Sequence, residues 1–227
     1  MNFFPIFLKT DRLKAVVIGG GKVAERKVLT LLNCGFSITV VSPDLTKELK
    51  KLGESGNINI LQRKYKIGDL KSASLAFFTA SDSKIYSDVR TEADKFKILL
   101  NCADDPDNCD FIMPSIIKRG SLKIAISTSG KSPILSAMLK KSFEKSIGKE
   151  YDLYLEILGV IRKYAACLEK NLKMKVLTSA ASSKIPQWIK KKEIKKIEDF
   201  LVKISTEKLK FNQLDEMKIL FKQLLRK

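Results

Sequence analysis

The chain has 227 residues, 44% of them hydrophobic and 30% charged, and its 43 Lys and Arg against 25 Asp and Glu give a formal net charge of +18 with no histidine. This is the composition of an ordinary soluble protein able to bury a core, and the missing histidine excludes the usual Ser-His-Asp nucleophile. No apolar run approaches the roughly eighteen residues that cross a bilayer, and the opening Phe3 to Leu8 has neither a basic leader nor a small-residue cleavage site, so a cytoplasmic protein with no membrane partner is expected.

From Lys14 to Asn101 short apolar runs alternate with helix-length amphipathic stretches, the pattern of βαβ units around a parallel sheet buried on both faces. Strands are predicted at Ala15 to Ile18, Ser37 to Val41, Ile58 to Leu61, Leu75 to Thr79 and Ile98 to Asn101. Helices are predicted between them at Val23 to Asn33, Leu45 to Gly53 and Lys84 to Phe96, from apolar recurrence every three to four residues. After Pro106 the pattern changes. Phe111 to Ile117 and Leu122 to Ser127 read as two strands joined tightly at Arg119-Gly120-Ser121. From Pro133 onward the period is helical, with helices expected at Ile134 to Ser146, Tyr151 to Cys167, around Gln187 to Ser205 and at Phe211 to Leu225, the polar stretch Ser179 to Pro186 intervening. The predicted fold class is α/β: a Rossmann-type doubly wound sheet, then a small strand pair, then an all-α tail.

Cys34, Cys102, Cys109 and Cys167 are scattered with no C-x-x-C spacing, which signals reduced thiols and no metal site. The basic run Lys190 to Lys196 is broken by Glu193 and Ile194 and lacks interleaved aromatics, which argues against a nucleic-acid partner. The excess charge then belongs to solvated helix faces or to the capture of a small polyanion.

The most informative motif is Gly19-Gly20-Gly21-Lys22-Val23-Ala24, a G-x-G-x-x-A turn between a predicted strand and a predicted helix. Gly19 allows the tight turn, Gly21 lets backbone amides approach a pyrophosphate, and Ala24 lets helix and sheet pack closely. The helix N-terminus adds amide donors and partial positive charge. Gly19, Gly21, Lys22 and Val23 are therefore candidate cofactor residues, joined by Ser42, Pro43 and Asp44 at the end of the second strand and by Thr79 and Asn101 at later strand ends. An acidic residue after the second strand selects NAD through the ribose hydroxyls. Asp44 can fill that role or can cap the next helix. No arginine stands at Ser42 to Leu45 for a 2′-phosphate, although Lys47 could reach, and NAD is the cofactor expected.

Four segments together resemble the precorrin-2 dehydrogenase family, which includes the N-terminal module of siroheme synthase and the yeast-type bifunctional dehydrogenase and sirohydrochlorin ferrochelatase. They are Phe4-Pro5-Ile6-Phe7-Leu8 leading to the triple-glycine turn with Ala24-Glu25-Arg26-Lys27; Val40-Val41-Ser42-Pro43; Asn101-Cys102-Ala103-Asp104 with Phe111-Ile112-Met113-Pro114-Ser115; and Ile124 to Pro133. The resemblance covers about the first two-thirds of the chain, in the family's order. It implies an NAD-dependent oxidation of precorrin-2 to sirohydrochlorin in siroheme biosynthesis, and a homodimer. Three parts are implied: an NAD-binding domain at 1–112, a dimerisation region at 113–148 and a helical domain at 149–227. The family's proposed catalytic aspartate falls on Asp104, with Asp105 its neighbour; a plain turn aspartate before Pro106 is the alternative. Ser127, Thr128, Ser129 and Lys131 form a polar loop before a helix, suited to substrate carboxylates or to simple capping by Ser132 with Pro133 in the first turn; Arg119 is the other candidate cation. Two further readings stand beside the dehydrogenase: insertion of iron or cobalt into sirohydrochlorin in the same cleft, and a non-catalytic NAD-sensing protein.

Overall fold

The computed structural model describes residues 3–103 and 105–206, with the backbone alone at residues 106, 205 and 206. The chain divides into two compact units, Met1–Met113 and Pro114–Lys227.

In the first unit β1 (Lys14–Ile18), β2 (Ser37–Val41), β3 (Asn59–Leu61), β4 (Leu75–Phe78) and β5 (Leu99–Cys102) form one sheet in the order β3-β2-β1-β4-β5. Every pairing is parallel. The crossovers carry α1 (Lys22–Asn33), α2 (Lys47–Glu54) and α3 (Ser83–Phe96). Alternate residues of a strand point to opposite faces, and both faces here are covered, so β1 is apolar and buried from Ala15 to Ile18 rather than alternating. Val16 and Ile18 pack with Val89 and Ala93 of α3. Ala15 and Val17 pack with Ala24, Val28 and Leu31 of α1 and Leu49 of α2. The register sets Ile18 opposite both Val41 and Phe78, and Phe78 opposite Cys102. Four strands thus end level, and the residues that follow them share one rim.

The predicted strands and helices of this unit form within a residue or two of their expected ends, with one instructive shift. Helix α2 starts at Lys47 because Thr46 is its cap, accepting the Leu49 amide at 3.3 Å. Asp44 therefore does not cap it. The strand expected from Phe111 begins only at Ser115. Phe111 and Met113 instead pack on the sheet core, Phe111 edge-on to Phe77 with ring centroids 5.4 Å apart.

In the second unit β6 (Ser115–Arg119) and β7 (Leu122–Ile126) form an antiparallel hairpin, turned at Gly120 with φ +55°. Then come α4 (Pro133–Ser146), α5 (Glu150–Tyr164), a 3-10 turn Ala165–Cys167, α6 (Lys170–Ala181), α7 (Ile185–Lys190) and α8 (Ile194–Thr206). Ser132 caps α4 by accepting the Leu135 amide at 3.1 Å, with Pro133 in the first turn. A core of Tyr154, Ile157, Ile161, Val176, Ala180, Ile185, Ile197 and Leu201 joins the last four helices, and the Tyr154 hydroxyl points between the carbonyls of Ala180 and Ala181, at 2.9 and 2.8 Å. Two features differ from expectation. The helix around Gln187 to Ser205 is two helices, broken where Lys192 takes φ +58°, and α6 was not anticipated, since only Val176 and Ala180 of it are buried. The helix expected at Phe211 to Leu225 lies outside the described residues.

Candidate functional site

The glycine turn after β1 is built from three residues with three different reasons to lack a side chain. Gly19 has φ +113°, and a Cβ there would stand 2.5 Å from Thr79 Oγ1; its amide donates to Val41 O at 3.0 Å. At Gly20 a Cβ would overlap the carbonyl oxygen of Asp44, which the Ser42 hydroxyl also bonds at 2.7 Å, while the Thr46 amide donates to Gly20 O at 3.0 Å. The turn and the loop after β2 are therefore stitched together. At Gly21 a Cβ would meet nothing within 4 Å. Gly21 is also the N-cap of α1 and makes no side-chain capping bond, so the first-turn amides of α1 have no side-chain acceptor from that position. The protein does not need glycine there for packing. A dinucleotide pyrophosphate bound at this turn would need it, because such a group approaches the backbone where a methyl would stand.

The turn opens on a cleft of about 310 Å³ whose lining includes Gly19, Gly20, Gly21, Ser42, Pro43 and Asp44 on one side and Thr79, Ala80, Ser81 and Asp82 on the other. A second cleft of about 330 Å³ shares Ala80 to Asp82 and continues past β4 and β5 along Phe78, Tyr86, Cys102, Ala103 and Asp105. Both lie at the C-terminal edge of the sheet, where the strand order reverses between β1 and β4. That is the crevice where open α/β sheets hold ligands. Asp82 supports this edge by capping α3, accepting the Lys84 and Ile85 amides at 3.0 and 3.3 Å.

Six expected cofactor residues, Gly19, Gly21, Ser42, Pro43, Asp44 and Thr79, come together in the first cleft. Thr79 shapes it, its hydroxyl donating to Ile18 O at 2.9 Å. Lys22 and Val23 stand on the first turn of α1 outside the lining: Lys22 Nζ pairs with Glu25 at 3.0 Å and Val23 is exposed. The Thr46 hydroxyl, then the Lys22 ammonium, hold the Glu25 carboxyl below its usual range. Asn101 lines neither cleft. It is buried, its Oδ1 accepting from Lys27 Nζ at 2.7 Å and its Nδ2 donating to Phe111 O at 2.8 Å, so its amide ties α1 and the segment after β5 to the sheet.

Asp104 lies outside the described residues. Before it, the Ala103 amide donates to Phe78 O at 3.0 Å. After it, Asp105 accepts the Asn108 amide at 3.3 Å and its Nδ2 at 2.6 Å, closing the turn that follows. Cys109 Sγ accepts the Cys102 amide at 3.0 Å. Burial, with Cys109 nearby, pushes the Cys102 thiol up to about 11, and burial followed by the charge of Cys102 raises the Tyr86 hydroxyl.

In the second unit the expected substrate loop is a self-bonded turn. Ser127 Oγ accepts the Ser129 amide at 3.0 Å, and Thr128 Oγ1 exchanges bonds with the backbone of Ser132 at 3.0 and 3.1 Å. Ser129 and Gly130 have φ +52° and +80°, and Lys131 is exposed. Arg119 donates from Nε to Ile147 O at 3.0 Å and from Nη1 to Lys118 O at 2.9 Å.

Residues 6–115 match the NAD(P)-binding family, and residues 119–146 match the central family of sirohaem biosynthesis proteins. The chain is 36% identical over 159 residues to siroheme synthase 1 of Serratia proteamaculans, covering 70% of this chain and 33% of that one. It is 34% identical over 173 residues to siroheme synthase 3 of Aeromonas hydrophila, covering 76% and 36%. The chain is therefore similar to part of each of these siroheme synthases. It spans about a third of the length of the curated siroheme synthases it matches. A solved structure, SirC, precorrin-2 dehydrogenase, superposes with a TM-score of 0.71 at 25% identity, over 90% of this chain and 100% of that one. The triple-glycine turn lies within the NAD(P)-binding match, and β7 and all of α4 lie within the sirohaem match. Lys64, Tyr65 and Tyr86, which also line the clefts, were missed from the sequence. Position just past the third strand was the only signal for the first two.

Proposed function

We propose that the chain is an NAD-dependent dehydrogenase that converts precorrin-2 to sirohydrochlorin. One observation carries the reading: a chain that covers the whole of a precorrin-2 dehydrogenase structure keeps, at the strand-order reversal, a glycine turn whose open Cβ position faces a cleft. Gly19 to Gly21 and the first-turn amides of α1 receive the pyrophosphate, and Asp44 holds the ribose hydroxyls. When bound, NAD supplies the hydride acceptor. By family resemblance Asp104 takes or orients the substrate proton, at the end of a parallel strand. Ser127, Thr128, Ser129, Lys131 and Arg119 contact the substrate carboxylates, Arg119 through Nη2.

The active form is proposed to be a homodimer. Helix α4 has no buried residue, and Ile134, Met138 and Phe143 on it are 75%, 62% and 42% exposed. An amphipathic helix lies unpaired only at a cost of about 1.5–3 kcal/mol for each large side chain left in water, and a second copy removes that cost. Sedimentation velocity at micromolar concentration is expected to show a dimer and Met138→Asp a monomer; a monomeric wild type removes the dimer.

The activity test is anaerobic turnover of precorrin-2 with NAD, followed by absorbance, and then repeated with cobalt or iron added to read metal insertion. Asp104→Asn is expected to lower dehydrogenation by roughly a hundredfold or more while keeping NAD affinity. Asp105→Asn, which loses bonds of a turn, is expected to lower stability and leave turnover near wild type. Equal turnover by Asp104→Asn and wild type would remove Asp104 from the mechanism.

A further inference from the structure

The segment after β3 is anchored more firmly than a surface connection requires. Tyr65 is buried, and its hydroxyl donates to Glu92 of α3, a carboxylate only 3% exposed. The other Glu92 oxygen accepts the Gly68 and Leu70 amides at 2.9 and 3.3 Å. Taking a carboxylate out of water costs several kcal/mol unless hydrogen bonds replace the lost hydration; here three donors do so. One residue before Lys64, Arg63 grips Asp69 with two bonds of 2.8 and 2.7 Å, and its Nη1 also donates to the carbonyl of Lys64 at 3.0 Å. Lys64 therefore stands between two pinned neighbours with its own backbone held. Such support is what fixes a binding group in place.

What it presents is a cation at the adenosine end of the cleft. Lys64 is exposed and lines the same cleft as Ser42, Pro43 and Asp44. The ends of β2 and β3 are tied together there, the Ser42 amide donating to Leu61 O at 3.2 Å and Gln62 Nε2 to Pro43 O at 3.4 Å. No carboxylate pairs with Lys64 among the described residues. Lys47, the one nearby cation visible in the sequence, lies on the first turn of α2 and is not part of the lining. In dinucleotide folds an acidic group after the second strand takes the ribose hydroxyls, while a cation beside it takes a 2′-phosphate, which carries about −1.5 to −2 charges near neutral pH. This rim carries both signs.

We infer that Lys64 is a 2′-phosphate-binding residue, so that the cleft admits NADP through Lys64 as well as NAD through Asp44. The inference rests on the reading of this cleft as the dinucleotide site and adds its selectivity. Calorimetric titration of the full chain with NAD and with NADP, at low and at high KCl, tests it. Wild type binds both. Lys64→Gln weakens NADP by about tenfold or more, as expected for a lost charge-assisted contact, and changes NAD by less than about twofold. Lys64→Arg retains NADP. Asp44→Asn weakens NAD and strengthens NADP. Wild-type affinity for NADP falls more steeply with KCl than that for NAD, and Lys64→Gln removes the difference. An equal loss for both cofactors in Lys64→Gln, or wild type that binds NAD and not NADP, overturns the assignment while the cleft stands. If Gly21→Ala leaves NAD affinity unchanged, the cleft itself is misassigned and the inference falls with it.

Discussion

Replacing Gly20 and Gly21 one at a time by alanine separates folding from cofactor binding. At Gly20 the new methyl overlaps the Asp44 carbonyl oxygen and comes within 2.9 Å of Leu45 Cδ2 and Ser42 Oγ. The carbonyl cannot retreat alone, because the Ser42 hydroxyl bonds it at 2.7 Å and the next amide but one, Thr46, bonds Gly20 O at 3.0 Å. Overpacking of this kind costs about 1–3 kcal/mol, and a strained or broken hydrogen bond adds about 1 kcal/mol. A loss of roughly 2–4 kcal/mol lowers the melting temperature by about 10–20 °C in a domain of this size. At Gly21 the backbone is extended, φ −82° and ψ −170°, open to any residue, and the methyl meets nothing within 4 Å. The poorer cap and the less flexible unfolded chain offset each other to within about 0.5 kcal/mol. That methyl occupies the pyrophosphate approach, and an overlap of ~1–3 kcal/mol there weakens NAD by about tenfold to a hundredfold. Thermal melts by circular dichroism and NAD titration by calorimetry, run on both variants, give the comparison. Equal destabilisation by the two substitutions, or wild-type NAD affinity in Gly21→Ala, would refute the reasoning.

Two further outcomes follow from charge and burial. Burial pushes the Asp69 carboxyl up, but the Arg63 guanidinium and then the Lys66 amide outweigh it and hold it below its usual value. A depressed folded-state pKa contributes stability that is complete above the unfolded value and is lost as pH falls through the folded one, so the window lies below about pH 4. Asp69→Asn, compared with wild type by urea unfolding, is expected to lose less additional stability over that acid range; parallel curves would contradict it. The Cys102 thiol, raised to about 11 by burial and by Cys109, stays protonated at neutral pH. Iodoacetamide at pH 8 is expected to modify it on the order of a hundredfold more slowly than the exposed Cys167, read by mass spectrometry of the peptides. Equal rates would mean that the thiol is neither buried nor raised.

Much of the first unit was legible because its signals are local. An apolar run such as Ala15 to Ile18, followed by a glycine turn and an amphipathic helix, needs no distant partner to be recognised, and Gly19 indeed takes the positive φ that the motif requires. The second unit was less legible for the same reason turned round. Helix α6 buries only Val176 and Ala180, too narrow a stripe to stand out among lysines, and the break before α8 depends on Lys192 turning to φ +58°.

The sequence by itself determined the alternation of strands and helices, the glycine turn after the first strand and the hairpin that follows. Tertiary structure decided what the neighbouring polar residues do. Asn101, at a strand end where a cofactor contact was expected, spends its amide on Lys27 and Phe111. Gly20, a position the motif leaves open, is required by the carbonyl of Asp44. Lys64 reaches the rim beside Asp44 because the parallel register sets Val41 against Leu61, so the residues after the two strands emerge side by side. Each of these roles arises from contact between segments far apart along the chain, and a local pattern carries no record of which distant segment the sheet will place next to it.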